Sequence, residues 1–93
     1  MNKVYLLVFD RSPDKYNYET FHELIKNSPH ISNWWHYIKS CYILISNLPS
    51  TSLSGEIRKM IPEHRFLLTR INLKESDGWL PRDAWNWIQE HYY

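Results

Sequence analysis

Residues 32–46 read SNWWHYIKSCYILIS, which is two β-prone runs that meet at Lys39 and Ser40. The first run contains two adjacent tryptophans, and the second is almost wholly apolar. Neighbouring side chains on a strand face opposite sides of the sheet, so Trp34 and Trp35 must enter different layers. The stretch therefore predicts a pair of strands in a sheet that is packed on both faces.

The residues before this stretch supply a strand and a helix. Residues 3–9, KVYLLVF, form a nearly continuous apolar run that is typical of a central strand, and Asp10 ends it. Apolar residues at helical spacing then predict a helix that Asn17 caps and Pro29 stops. The chain thus enters the tryptophan-rich stretch from a helix.

The residues after this stretch supply two helices and a strand. Apolar residues spaced i, i+4 and i+8 predict an amphipathic helix over residues 52–61, with hydroxyl residues as caps and Pro62 as its end. Residues 64–73, HRFLLTRINL, alternate as a fourth strand. A last helix is expected within residues 79–93, with Pro81 in its first turn.

The order strand, helix, strand, strand, helix, strand predicts an α+β fold of the ferredoxin-like type, βαββαβ, with an antiparallel sheet and two helices on one face. Residues 1–93 are expected to form a single domain, with a core over 1–73 and a C-terminal docking helix over 74–93. The second face of so apolar a sheet would be a large exposed patch if left bare. We expect the C-terminal helix or a second subunit to cover it.

Composition limits the classes of function. Five Trp and seven Tyr are more than a core of 93 residues needs, which favours a partner such as a second copy of the chain. The net charge is +1, so nucleic-acid binding would need a local basic patch. A single cysteine indicates a reduced compartment, and the N-terminal apolar run is too short for a membrane span. We therefore expect a cytoplasmic protein with no membrane partner.

Two places in the sequence are candidates for catalysis. Asp10 emerges from a rigid central strand, and two copies across a dimer could hold Mg²⁺ and activate water against a phosphodiester. The alternative is that Asp10 only begins a turn. His36, near Lys39 and Ser40, is a candidate acid or base for a phosphate ester, or else a half-buried structural histidine. The candidate catalytic residues are therefore Asp10, His36 and Ser40, with Asp10 also the metal ligand.

Basic side chains near the predicted strand ends are the candidate nucleic-acid contacts. They are Arg11, Lys15, Lys39 and Arg70, with Lys3 and Arg65 as further members. The tryptophans could stack on bases or pack together, and acidic neighbours favour packing for the three in the tail.

With this element order, the chain resembles the small CRISPR-associated spacer-acquisition subunit and its relatives among VapD-like toxins. The resemblance rests on KVYLLVF ending in Asp10, on YIKSCYILI, on the helix from Ser52 to Ile61, and on HRFLLTRIN. More closely, NWWHYIKS and GWLPRDAWNWI resemble small bacterial proteins labelled SinR family.

The resemblance implies a ferredoxin-like homodimer linked to nucleic-acid metabolism, with Asp10 at a metal-ligand position and Ser40 at a recurrent small polar one. This chain departs from the pattern in its near-neutral charge, and its tryptophan-rich tail replaces the C-terminal strand by which the acquisition subunit pairs with partners. Two hypotheses follow. The chain is a nucleic-acid-associated dimer, either a weak metal-dependent nuclease or its inactive descendant, or it is a non-enzymatic protein-interaction or antitoxin-like adaptor.

Overall fold

The structure is a computed structural model that describes residues 2–10, 18–62 and 64–93, apart from the side chain of Tyr18. Its elements are β1 (Lys3–Phe9), α1 (Tyr18–Asn27), β2 (Asn33–Trp35), β3 (Cys41–Ser46), α2 (Ser50–Met60), β4 (Phe66–Arg70), a 3-10 turn (Leu73–Glu75) and α3 (Arg82–Glu90). Among these helices, none has the length and apolar character needed to cross a membrane. The predicted helix cap at Asn17 lies outside the described residues.

The four strands form one antiparallel sheet in the order β2-β3-β1-β4. The apolar strand β1 is central, and its Leu7 lies opposite Tyr42 of β3 and Leu68 of β4. The predicted α+β class with an antiparallel sheet is confirmed. The arrangement is consistent with a ferredoxin-like fold.

One face of the sheet packs against α1 and α2. Alternate residues of β1 and β3 turn inward to meet the apolar stripes of the two helices, because side chains on a strand alternate between faces. The buried side chains of this layer include Tyr5, Leu7, Phe9, Phe21, Ile25, Tyr42, Leu44, Leu53 and Ile57. Burial of each such side chain contributes about 1.5 to 3 kcal/mol, so this layer is the main core.

The opposite face packs against α3. Ile88 lies on this face among buried residues of β1 and β3, and Trp85 packs around them. Trp35 belongs to this layer, whereas Trp34 packs in the layer of α1 and α2. The prediction that the two tryptophans face opposite layers is confirmed, and the C-terminal helix covers part of the second face. Gly78, with a φ of +151°, makes the turn before this helix.

The strand β2 is shorter than the sequence predicts. It ends at Trp35 rather than continuing to residue 39. His36 leaves the sheet to stack on Tyr42, and the N–H of Cys41 closes the connection by donating to the carbonyl of Ile38 at 2.9 Å. The chain lacks an Asn-Gly pair for a two-residue turn, so it uses a wider one.

Three other element ends also differ from prediction. The hydroxyl cap predicted for α2 is wrong, because the helix begins at Ser50 with Pro49 as its N-cap and no side-chain cap hydrogen bond. The fourth strand ends at Arg70, since the chain then turns to bury Leu73 under α3. The last helix begins one position later than predicted, with Pro81 as its N-cap.

Candidate functional site

The end of β1 and the starts of β3 and β4 meet at one end of the sheet. The N–H of Phe9 donates to the carbonyl of Ser40 at 3.1 Å, and the N–H of Asp10 donates to the carbonyl of Arg65 at 2.9 Å. Asp10 therefore lies between the segments that precede β3 and β4. We call this place the Asp10 end, and it also includes Lys39, Ser40, His64 and Arg65.

The backbone of Asp10 is fixed while its side chain is exposed. In addition to the bond to Arg65, the carbonyl of Asp10 accepts a hydrogen bond from Nδ1 of His64 at 2.8 Å. Strand alternation places the Asp10 side chain on the same face as Val8, which is the face that α3 partly covers. The geometry therefore fixes the main chain from which one exposed carboxylate projects at the rim of the sheet.

This carboxylate alone does not fit a Mg²⁺ site. Across the described residues, no three His, Cys, Asp or Glu side chains come close enough together to hold a metal ion. Mg²⁺ prefers several oxygen ligands in an octahedral arrangement, and Asp10 supplies only one side chain to it. A metal site built on Asp10 would need ligands from outside these residues, such as a second copy of the chain.

His36 belongs to an aromatic cluster that joins α1 to β2 and β3. Its ring stacks on buried Tyr42 with centroids 4.0 Å apart, and its Nδ1 lies 2.8 Å from the carbonyl oxygen of Cys41. The Tyr42 hydroxyl lies 2.9 Å from Nδ1 of His22, whose ring meets Trp34 edge-on at 4.7 Å. These contacts support the structural alternative for His36, since the ring is held by packing.

The two other candidate residues of the connection before β3, Lys39 and Ser40, lie at the Asp10 end. Ser40 is half-buried, and its carbonyl is bonded to β1, while Lys39 is exposed in the turn. The topology therefore brings Lys39, Ser40 and Asp10 to one end of the sheet, together with Arg65.

Two of the other basic candidates, Arg70 and Lys3, do not join this end. The guanidinium of Arg70 lies 5.9 Å from the ring centre of Tyr5, which is opposite Arg70 in the register. Nζ of Lys3 donates to the carbonyl of Asn47 at 2.9 Å, beyond the far end of β3. Arg11 and Lys15 lie outside the described residues. The expected basic patch is therefore smaller than the set of candidates.

A groove of about 660 Å³ runs between α2 and the edge strand β4. Two arginines, Arg58 and Arg65, line it together with His64, and none of its described lining residues is acidic. Hydroxyl side chains from the first half of α2 and apolar side chains of β4 complete the lining. The side chains on the α2 side of the sheet are those of Ser50, Thr51, Ser54, Phe66 and Leu68, while Pro62 and Leu67 also border the groove.

Arg58 is a groove residue that was not among the candidates predicted from the sequence. Its signal was the spacing of Thr51, Ser54 and Arg58, which are three and four residues apart and therefore share one face of α2. This face of α2 lies beside β4, and β4 is the edge strand in the observed strand order. The spacing alone does not indicate which strand the face lies beside.

The face covered by α3 is partly exposed near the Asp10 end. Val8 and Leu67 are paired across neighbouring strands, and they are 41% and 63% exposed. Tyr37 and Ile38, in the connection before β3, are exposed as well. We call Val8, Leu67, Tyr37 and Ile38 the apolar patch. Exposed apolar surface of this kind marks interfaces in soluble proteins.

Two further side chains are unusual for their type. Trp79, in the connection before α3, is 98% exposed rather than packed. Cys41 is half-buried, and burial raises the pKa of its thiol above the ordinary value. A raised pKa makes this thiol a poor nucleophile at neutral pH.

No protein-family model and no curated protein sequence matches the chain.

Proposed function

We propose that the chain is a ferredoxin-like, cytoplasmic protein that binds nucleic acid and works as a homodimer. The observation that carries the proposal is the groove beside β4, where Arg58 and Arg65 lie together with hydroxyl groups and without a described carboxylate. Guanidinium groups bind phosphate with two parallel hydrogen bonds, and hydroxyls donate to the same oxygens. The sugar-phosphate backbone of a nucleic acid is the polymer that best matches this lining.

The near-neutral charge of the whole chain is compatible with this proposal. Binding to phosphates depends on the local density of cations, and Lys39 lies at the same end of the sheet as Arg65. The chain would then hold a short stretch of nucleic acid with few phosphate contacts, and its affinity would be modest.

The homodimer is supported by the apolar patch and by the position of Asp10. Val8 and Asp10 share a strand face by alternation, so two copies that bury the patch would bring their Asp10 side chains toward one interface. This arrangement would supply the second carboxylate that a single chain lacks for Mg²⁺. The nuclease form of the proposal depends on this pairing, and the inactive form does not.

Binding is tested with a labelled single-stranded oligonucleotide and fluorescence anisotropy. We expect Arg58→Ala and Arg65→Ala to weaken binding, each reducing the slope of log K against log salt by about 0.7 for one lost phosphate contact on a single strand. Arg82→Ala is the matched control, because Arg82 is exposed at the start of α3 and outside the groove. Binding that is absent, or that loses as much with Arg82→Ala, contradicts the proposal.

Catalysis is tested by Mg²⁺-dependent cleavage of single- and double-stranded RNA and DNA. If the nuclease form is correct, the wild-type chain cleaves one of these substrates and Asp10→Ala does not. Asp77→Ala is the control, since Asp77 is exposed and follows the 3-10 turn. Equal or absent cleavage in the wild type and Asp10→Ala leaves the inactive, binding form.

A second candidate is the non-enzymatic adaptor, and exposed Trp79 favours it. A tryptophan that is 98% exposed is an anchor of the kind that protein interfaces use. The test is direct binding of any partner, recovered by affinity capture and then purified, to wild type and to Trp79→Ala. If the chain binds no oligonucleotide and Trp79→Ala weakens binding of the partner by about tenfold or more, the adaptor is a better account than the nucleic-acid-binding protein.

A further inference from the structure

Within the described parts of the chain, no strand pairs with the main-chain groups along the outer side of β4. In an antiparallel ladder, alternate residues bond to the same neighbour. The N–H of Asp10 donates to the carbonyl of Arg65, and the N–H of Ile71 donates to the carbonyl of Val4, so the odd-numbered residues of this segment bond to β1. The N–H and C=O groups of Phe66, Leu68 and Arg70 therefore point outward, and β4 is the last strand on this side of the sheet.

This edge carries little of the protection that edge strands usually have. Protected edges contain proline, a bulge or inward-pointing charges. The strand β4 reads FLLTR, its register with β1 continues without a bulge from Phe66 to Arg70, and it contains no proline. Its only charged residue is the last one. The edge is thus open to a further strand.

The surroundings of the edge specify the chemistry of that strand. On one side lies the α2 wall of the groove, with Arg58 and the hydroxyls of Thr51 and Ser54. On the other side Leu67 is exposed on the opposite face of the sheet. A strand added here would place alternate side chains toward cations and toward an apolar residue.

We propose that the edge of β4 binds an extended acidic peptide of a partner protein as a fifth strand, with carboxylates toward Arg58 and apolar side chains toward Leu67. Main-chain hydrogen bonds supply the affinity in such complexes, and alternate side chains supply the specificity. This inference goes beyond nucleic-acid binding, because phosphates need the arginines but do not need the strand's main-chain groups.

The probe is a capped seven-residue peptide of alternating Glu and Val, with binding measured by isothermal titration calorimetry. Two N-methylated versions carry methyl groups on the Val amides or on the Glu amides. Alternate N–H groups of a strand point to opposite edges, so one version should bind like the parent and the other about tenfold more weakly, through loss of main-chain hydrogen bonds. Equal binding by both versions would mean that charge alone holds the peptide, and would overturn the proposal.

Protein variants provide the second measurement. Arg58→Ala should weaken the peptide several-fold, and Arg82→Ala should not. Leu68→Pro removes one outward N–H without removing a bond to β1, so it should weaken the peptide. If the edge instead pairs two copies of the chain, wild type is a dimer that Leu68→Pro dissociates and the peptide does not bind, which also overturns the proposal. If the chain fails to bind the oligonucleotide but distinguishes the two methylated peptides, the proposed function is contradicted and the peptide-binding proposal still stands.

Discussion

His91 and Asn33 join the end of the chain to the edge strand β2, with Nε2 of His91 lying 2.9 Å from Nδ2 of Asn33. The carbonyl oxygen of Trp87 lies 2.6 Å from Nδ1 of His91, so this nitrogen donates. The side-chain oxygen of Asn33 accepts from the N–H of Trp34 at 2.8 Å, so its amide nitrogen faces the histidine. Both polar groups are therefore satisfied when His91 is neutral and carries its hydrogen on Nδ1.

Replacement of Asn33 by Leu should destabilise the chain. The change removes the donor to Nε2 of His91, which is buried, and an unsatisfied buried acceptor costs about 1 to 3 kcal/mol. We expect the free energy of unfolding, measured by urea denaturation, to fall by about 1 to 2 kcal/mol.

The matched control is Asn86→Leu, which makes the same replacement at an exposed position of α3. It should change the free energy of unfolding by less than about 0.5 kcal/mol. Equal effects of the two variants would show that the bond between His91 and Asn33 contributes no stability.

The layers of the fold could be predicted because they depend on local alternation. Trp34 and Trp35 follow each other in a strand, so their side chains must lie on opposite faces of the sheet. The length of β2 could not be predicted, since it depends on the contact of His36 with Tyr42 across the sheet.

Replacement of Ile88 by Ala should weaken the docking of α3. Ile88 is 2% exposed and lies on the second face of the sheet, so the change leaves a cavity and should cost about 2 to 5 kcal/mol. That is a large part of the stability of a small domain, which is about 5 to 15 kcal/mol. Thermal and urea unfolding should both show the loss.

Gln89→Ala is the control for this variant, because Gln89 is the exposed neighbour on the same helix.

A chain that lacks residues 79–93 should expose the second face and aggregate or lose its cooperative thermal transition. A truncated chain that stays soluble and as stable as the full chain would show that α3 is an interaction arm and not part of the folded core.

The Cys41 thiol should react slowly. Burial raises its pKa, so the thiolate that reacts with iodoacetamide is scarce at neutral pH in the folded chain. We expect alkylation, followed by mass spectrometry, to be slower in the folded chain than in urea, and to accelerate as pH rises above the ordinary thiol value. Equal rates in both states would contradict the burial of this thiol.

The same shift gives a pH dependence of stability with a definite sign. The folded pKa lies above the unfolded one, so the stabilising contribution is complete below the unfolded value and is lost as pH rises through the folded value. The free energy of unfolding should therefore decrease at alkaline pH, and Cys41→Ser should reduce that decrease.

The candidate site was predictable where strand ends determine it. Asp10, Lys39 and Ser40 come to one end of the sheet because β1 ends there and β3 begins there, and the order of elements implies that meeting. The groove at Arg58 could not be located in this way, because its position depends on which strand lies at the edge.

Replacement of Leu67 by Glu tests the homodimer. Leu67 is 63% exposed in the single chain and belongs to the apolar patch, so a buried carboxylate there would oppose association without harming the fold. We expect sedimentation velocity to show a dimer for the wild type at micromolar concentrations and a monomer for Leu67→Glu. At concentrations low enough for the wild type to dissociate, the two chains should have equal melting temperatures. Leu24→Glu is the matched control, since Leu24 is a similarly exposed leucine on α1, on the opposite side of the sheet, and it should remain a dimer. A monomeric wild type, or a dimer that only Leu24→Glu dissociates, would rule out pairing through the apolar patch, and with it the meeting of two Asp10 side chains on which the nuclease form depends.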